Sequence, residues 1–244
     1  MDMSTEFEDA RREFLVKALS MGAFALGSGG IALPAWSMGE IPDELEPGRS
    51  IYDMGGVVRV DGKRATEKTV ISANSLVETE SGSHVVFVIG GDAHILRENS
   101  RVQFSGKDFF EHGLRLVTGK LLSVFGAREP AQPAHTMQTS TATIGIRGTG
   151  VYAESEKDVS YLCTCYGVVD IVSNSDRGKS SERIAASHHD APRYILKEGK
   201  AGQLIEPAPV KNHTDEELML VEALVGRTTP FSSVKGYSAP RQGY

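Results

Sequence analysis

Two cysteines, Cys163 and Cys165, stand two residues apart, and a His188-His189-Asp190 cluster follows them along the chain. In a β-strand, side chains at this spacing share one face, with Cα atoms about 6.6–6.8 Å apart. A disulfide needs Cβ atoms about 3.8 Å apart, so bridging the pair requires a distorted strand. Two thiolates can instead converge on one metal ion, with an imidazole as a third ligand. The pattern predicts a zinc or copper site made of Cys163, Cys165 and either His188 or His189, with Asp190 orienting the imidazole.

The same residues are compatible with other interpretations. The two thiols could be plain core residues, a strained redox pair or partners in an intermolecular bridge, with the histidines in a surface loop. Adjacent residues of a strand point to opposite faces, so His188 and His189 cannot both serve as ligands unless the chain turns there. The sequence leaves metal binding, redox chemistry and simple burial open.

A second distinctive run is Gly145-Ile146-Arg147-Gly148-Thr149-Gly150. It lacks the Lys-Ser/Thr of a phosphate-binding P-loop, and no helical pattern follows it. We interpret Gly145, Arg147, Gly148 and Thr149 as a structural motif. Its glycines allow a positive φ or close backbone approach at a strand junction, and Arg147 is held by a carboxylate or by carbonyls. The chain has no Gly-x-Ser-x-Gly elbow and no His-Glu-x-x-His motif, so we expect a protein that is not an enzyme.

The elements that must position these residues are β-strands. Residues 51–204 read as short β-branched and aromatic runs separated by turn residues, among them Asp61-Gly62, Ser81-Gly82 and Gly90-Gly91 as hairpin signals. About a dozen strands are expected, which calls for an all-β sandwich, barrel or solenoid-like domain. The expected domain covers 50–206, and separate strands are predicted at 114–117, 120–125, 143–146, 151–154, 159–165 and 168–172.

The region after this domain, 207–244, reads as a linker, one short helix and a flexible tail with little to bury. Thr214 and Glu217 have the spacing of a capping box, and leucines and valines follow at helical intervals up to Gly226. One helix of about three turns is therefore expected here.

The first 37 residues differ from the rest. Arg11 and Arg12 precede Phe14-Leu15 and a weakly hydrophobic run rich in Ala, Gly and Ser, which is the order of a signal peptide. The run resembles a twin-arginine export signal. We therefore expect a leader over 1–37, cleaved after Ser37 or retained as an anchor, and a periplasmic location.

Composition excludes some classes of function. The 244 residues carry a net charge of -6, and the pI is near 5.7. Such a chain has no general electrostatic reason to bind nucleic acid or an anionic membrane surface. No run approaches the about 18 apolar residues of a secure membrane span, so no stable span is expected after processing.

Two stretches, 116–126 (LVTGKLLSVFG) and 139–149 (TSTATIGIRGT), resemble the FecR-type domain, and the strand pattern at 86–100 fits it. The resemblance implies an extracytoplasmic β-domain that senses and relays signals at the cell envelope, without catalysis. Only ten residues precede Arg11, which leaves no room for a cytoplasmic anti-sigma helix bundle. We therefore expect a free-standing periplasmic FecR-like domain.

The leading hypothesis is an exported module that binds a small ligand or an envelope protein in cell-envelope or metal-linked signalling. One alternative is a small periplasmic metal or redox protein centred on Cys163 and Cys165. Another is a structural scaffold whose exposed strand edges pair with a partner. The sequence predicts no particular oligomeric state.

Overall fold

The computed structural model describes residues 44–107, 110–127 and 134–233. The predicted leader with Arg11 and Arg12, and the last part of the predicted tail, lie outside the described residues. The strands are β1 Ile51–Gly55, β2 Val58–Val60, β3 Lys63–Arg64, β4 Leu76–Thr79, β5 His84–Ile89, β6 Asp92–Leu96, β7 Arg101–Lys107, β8 Phe110–Val124, β9 His135–Gln138, β10 Ala142–Ser155, β11 Val159–Ser173, β12 Ser181–Ala186, β13 Arg193–Leu196 and β14 Ile205–Pro207. One α-helix, α1 (Asp215–Ala223), and a 3₁₀-helix, Pro230–Ser233, follow them.

The all-β prediction with one C-terminal helix is confirmed. The fourteen strands form one mixed sheet, in which β8 and β9 run parallel and the other paired strands are antiparallel. Over the described ranges, the sheet does not close into a barrel.

Three long strands, β8, β10 and β11, take part in two layers because they change partners along their length. The first half of β10 pairs with β9, and its second half pairs with β8. The register of β10 against β11 shifts between Arg147 and Gly150, where Gly148 has a φ of +56° and the facing Gly167 has a φ of +88°. The prediction of two separate strands in place of each long strand is wrong, since the register shifts within β8, β10 and β11 are bulges inside a strand rather than turns between strands.

We call the two layers A and B. Layer A contains β2, β3, β4, β7, β9, β12, the first halves of β8 and β10, and the second half of β11. Layer B contains β1, β5, β6, β13, β14, the second halves of β8 and β10, and the first half of β11. Buried side chains from both layers, such as Val102 and Ile144 of layer A and Phe87 and Leu162 of layer B, join in one core. The architecture is therefore a two-layered sandwich.

Layer B is covered on its outer face as well. Side chains that alternate with those of the first core, including Val86, Ile95, Leu122 and Tyr152, form a second cluster with residues of α1. Burial on both faces explains why β5 reads as a nearly continuous apolar run.

Helix α1 begins as the sequence predicts. The Thr214 side chain accepts a hydrogen bond from the backbone of Glu217, and the Glu217 carboxylate accepts one from the backbone of Thr214, which forms the capping box. The expectation of little burial after the helix is wrong in part, because Thr229 and Phe231 are buried. Phe231 packs in the same cluster as α1.

The hairpin signals have mixed outcomes. Asp61-Gly62 joins the paired strands β2 and β3, and Gly90-Gly91 joins β5 to β6, as predicted. Ser81-Gly82 connects β4 to β5, which lie in different layers and have other partners. Strands β1 and β12 were missed; β12 is a largely polar strand whose exposed residues alternate with buried ones.

The glycine motif also differs from expectation at one position. Gly148 has the positive φ, and its Cβ position lies 3.3 Å from Ala127, whereas a Cβ at Gly145 meets only ordinary contacts with Asp170. Arg147 lies 3.9 Å from the Asp170 carboxylate, and both side chains are exposed. The Thr149 hydroxyl donates to the Arg147 carbonyl at 2.9 Å and accepts from the Val168 N–H at 3.2 Å. These two hydrogen bonds stabilise the bulge.

In the described ranges, none of the helices has both the length and the apolar character to cross a membrane.

Candidate metal centre

Four buried side chains converge on the outer face of layer B. Cys163 and Cys165 belong to β11, His189 lies in the loop between β12 and β13, and His213 immediately precedes the N-cap of α1. One ligand atom from each residue lies within 4.8 Å of every other, and all four residues are at most 2% exposed. The fold thus brings two thiols and two imidazoles to one point.

The two cysteines share this face because of the alternation of β11. Leu162 points into the core between the layers, whereas Tyr161, Cys163 and Cys165 belong to the outer cluster. Both thiols are free. The two-residue spacing therefore places both thiols on one face of the strand, as predicted.

The distances between the candidate ligands suit a tetrahedral ion. Cys163 Sγ lies 3.4 Å from His189 Nδ1, and His213 Nε2 lies 3.0 Å from the same nitrogen. Zinc bonds of about 2.3 Å to sulfur and about 2.0–2.1 Å to nitrogen give sulfur–nitrogen and nitrogen–nitrogen edges of about 3.6 and 3.3 Å. A movement of a few tenths of an ångström brings the three atoms onto such a tetrahedron.

The opposite nitrogen of each imidazole already has an acceptor. His189 Nε2 lies 2.9 Å from a carboxylate oxygen of Asp215, and His213 Nδ1 lies 2.7 Å from the carbonyl of Lys211. Each of these nitrogens therefore carries a hydrogen, since carboxylate and carbonyl oxygens only accept. A neutral imidazole then presents a lone pair through its other nitrogen, so His189 Nδ1 and His213 Nε2 face one another at 3.0 Å. Two lone pairs this close require a positive charge between them, either a proton or a metal ion.

The pKa values of three side chains at the centre are shifted, and those of the two thiols move in opposite directions. Burial lowers the pKa of His189, but hydrogen bonds with Asp215 and Cys163 outweigh it and raise that pKa to about 9. The pKa of the Cys163 thiol falls well below its usual value, mainly through a hydrogen bond from the Cys165 thiol and despite burial. Burial and the nearby Cys163 raise the pKa of Cys165. The shifts at Cys163 and His189 both favour the charged form of the side chain.

The chain turns at the histidine pair. His189 has a φ of +52°, a left-handed conformation in which histidine is enriched. The turn lets both imidazoles reach Asp215, with His188 Nε2 at 2.9 Å from its other oxygen. His188 is not one of the four convergent residues, but it forms a second group of possible ligands with His189 and Asp215.

The carboxylate that orients the imidazole is Asp215 and not Asp190. The Asp190 carboxylate accepts hydrogen bonds from the backbone N–H groups of Ser187 at 2.7 Å and His188 at 3.1 Å. These bonds fix the turn that presents the histidines. Asp215 is the first residue of α1 and is fully buried, so docking of the helix delivers it to His189.

Sequence reasoning missed His213 and Asp215, which stand on either side of the N-cap Thr214. A histidine and an acid next to a capping box were the available signal. The number of residues that separates them from Cys163 does not indicate that they lie near the thiols and His189, because the docking of the helix creates this proximity.

Aromatic rings close the site. Tyr152 stacks on His213 with ring centroids 4.6 Å apart and planes inclined by 14°. Phe231 lies 4.6 Å from the ring of His188 and 6.0 Å from that of Tyr166. Four buried side chains that could all serve as ligands would leave no open coordination position, which is the pattern of structural zinc sites.

No protein-family model matches the chain, and no curated relative matches it. Two crystal structures of a predicted anti-sigma factor from Parabacteroides distasonis, at 1.65 and 2.50 Å resolution, are similar in part. Each has a TM-score of 0.43 and 13% identity, over 55% of this chain and 58% of the other. The chain thus matches a little over half the length of that protein. The resemblance to FecR-type domains remains a prediction from the sequence motifs.

Proposed function

We propose that this chain is an exported metal-binding β-domain in which Cys163, Cys165, His189 and His213 hold one zinc ion. One observation carries the proposal. Two imidazole nitrogens, each with its partner nitrogen committed to an acceptor, face one another at 3.0 Å beside two buried thiols. A divalent cation satisfies all four groups at once.

Charge balance favours zinc over copper(I). Two thiolates neutralise a divalent ion, whereas a monovalent ion leaves a net negative charge in a buried site. Asp215 is also buried beside this site, and an uncompensated buried charge is costly. Thiolate and imidazole ligands in a tetrahedral arrangement are the usual set for zinc.

The exported location is supported by the twin-arginine-like run at Arg11 and Arg12. The FecR-like motifs support a role as a binding module in envelope signalling, and the metal centre adds a ligand of defined chemistry to that role.

Metal analysis of the full chain purified under reducing conditions tests the zinc site. After incubation with zinc and dialysis, we expect one zinc ion per chain, and cobalt(II) in its place should give the intense visible bands of tetrahedral thiolate coordination. Cys163→Ser and Cys165→Ser should each lose the bound ion. His84→Ala is the matched control, because His84 lies on β5 beside Asp53 and away from the four ligands.

A wild-type chain with both thiols reduced and no bound zinc would exclude the proposal. Cobalt bands that lack sulfur-to-metal character would exclude the ligand set. Because this spectrum is recorded on the wild-type protein, the result does not depend on whether a cysteine variant folds.

A further inference from the structure

The segment after β14, residues 208–233, lies across the outer face of layer B, and we call it the C-terminal strap. Its helix turns three carboxylates toward the sheet, those of Asp215, Glu217 and Glu222, each at most 3% exposed. Buried carboxylates are rare without partners. Each of the three has a partner outside α1, so polar contacts hold the strap as well as apolar ones.

These contacts are spread along the helix. Asp215 meets both histidines of the 188–189 turn, and Glu217 accepts from Arg97 of the β6–β7 loop at 2.8 Å. Near the other end, Glu222 accepts from the hydroxyl of Tyr166.

The residues on either side of the helix are also tied to layer B. Lys211 lies 2.7 Å from the Glu154 carboxylate, and Asn212 donates to the same carboxylate at 2.7 Å. After the helix, Arg227 donates to the carbonyl of Gly91 at 2.6 Å.

The strap depends on the sheet for its order. Helix α1 has nine residues, and isolated helices shorter than about 12–15 residues are marginal in water. Its apolar side chains in the second cluster are Leu218, Leu220 and Val221, and the C-cap Leu224 joins them. An interaction that ties the strap to the sheet therefore changes the balance between docked and released states.

The metal centre is such an interaction. Cys163 and Cys165 lie on the sheet and His189 on a loop of the β-domain, whereas His213 belongs to the strap. On the basis of the proposed zinc site, we propose that the ion is a catch: its binding locks the strap on layer B, and its loss releases the strap and uncovers the outer face. The domain would then report metal occupancy by a change in its surface.

Thermodynamic linkage makes this reciprocal. If zinc favours the docked strap by a given factor, the chain with its strap docked binds zinc more tightly than the chain with its strap released by that same factor. A substitution that raises the released fraction therefore weakens zinc binding, by that factor at most, even when it touches no ligand.

Hydrogen exchange of the full chain tests the catch directly. With zinc removed by a chelator under reducing conditions, the amides of 212–224 should lose protection, while those of β7 and the first half of β10 in layer A should keep it. Zinc-loaded protein provides the reference.

A pair of cavity variants tests the reciprocal effect. Leu218→Ala loosens the strap and should weaken zinc binding by about 5–150-fold, the usual range of coupling between sites. Leu116→Ala removes an equally buried side chain from the core between the layers and should change zinc affinity far less.

The outcomes separate the two proposals. A wild-type chain that binds no zinc overturns both the site and the catch. Zinc binding with equal exchange of α1 in the loaded and stripped states overturns the catch alone. Loss of protection throughout both layers on zinc removal also overturns it, because the ion would then hold the whole fold and not the strap.

Discussion

Replacing His213 with alanine is the sharpest test of the metal centre, because the sequence pattern alone did not select this residue. Structural zinc in small domains is worth about 10–16 kcal/mol at neutral pH, so one ligand of four corresponds to about 2.5–4 kcal/mol. At 1.4 kcal/mol per factor of ten, zinc affinity should fall by about two to three orders of magnitude. His188→Ala is the matched variant. The His188→Ala variant keeps the four ligands and the contact between Asp215 and His189. Its zinc affinity should therefore fall by less than the about 10–100-fold expected when a residue that hydrogen-bonds directly to a ligand is removed.

The assay is a competition titration of each reduced protein against a chromophoric zinc chelator. Thermal unfolding of the metal-free proteins is measured in parallel, because His213 also stacks on Tyr152 and the variant loses that contact. Equal zinc affinities for His213→Ala and His188→Ala would refute the assignment of the fourth ligand. So would a His213→Ala affinity close to that of the wild type.

Three further predictions follow from the same structure. Gly148→Val should lower the free energy of unfolding by at least about 1–2 kcal/mol, since a β-branched residue resists positive φ. Gly145→Ala should cause a smaller loss of stability. Equal urea midpoints for the two variants would contradict the bulge argument. Burial raises the pKa of Glu154, but hydrogen bonds from Lys211, Asn212 and Tyr152 outweigh burial and lower that pKa below its usual value. The ionised Glu154 therefore stabilises the fold above pH 4.5, and this stabilisation is lost as the pH falls through the pKa of the folded state. The stability difference between wild type and Glu154→Gln should therefore shrink below pH 4.5 in urea unfolding, and a constant difference would argue against it. Arg11→Lys with Arg12→Lys should keep the protein in the cytoplasm, and an unchanged periplasmic fraction would rule out twin-arginine export.

Much of the fold could be predicted from local patterns. The runs of β-branched residues predicted most strands, and the turns at Asp61-Gly62 and Gly90-Gly91 predicted their hairpins, because these signals depend only on neighbouring residues. The long strands were divided wrongly since a glycine with positive φ serves a bulge as well as a turn. Which of the two forms at Gly148 depends on the partner strand β11.

The division of the sheet into two layers was also beyond sequence reasoning. Ser81-Gly82 looks like a hairpin turn, but the strands it joins pair elsewhere, with β4 in layer A and β5 in layer B. Strand pairing is a long-range choice, decided by which faces can be buried together.

The candidate site shows the same boundary between local and tertiary information. The sequence by itself determined that Cys163 and Cys165 share one face, because a strand repeats every two residues, and that a helix begins after Thr214, because its capping box is local. Only the tertiary structure decided that the helix packs over those cysteines, which brings His213 to the thiols and Asp215 to the histidine turn. The physical reason is that the outer face of layer B must be buried, and the chain covers it with the segment that carries the remaining ligand.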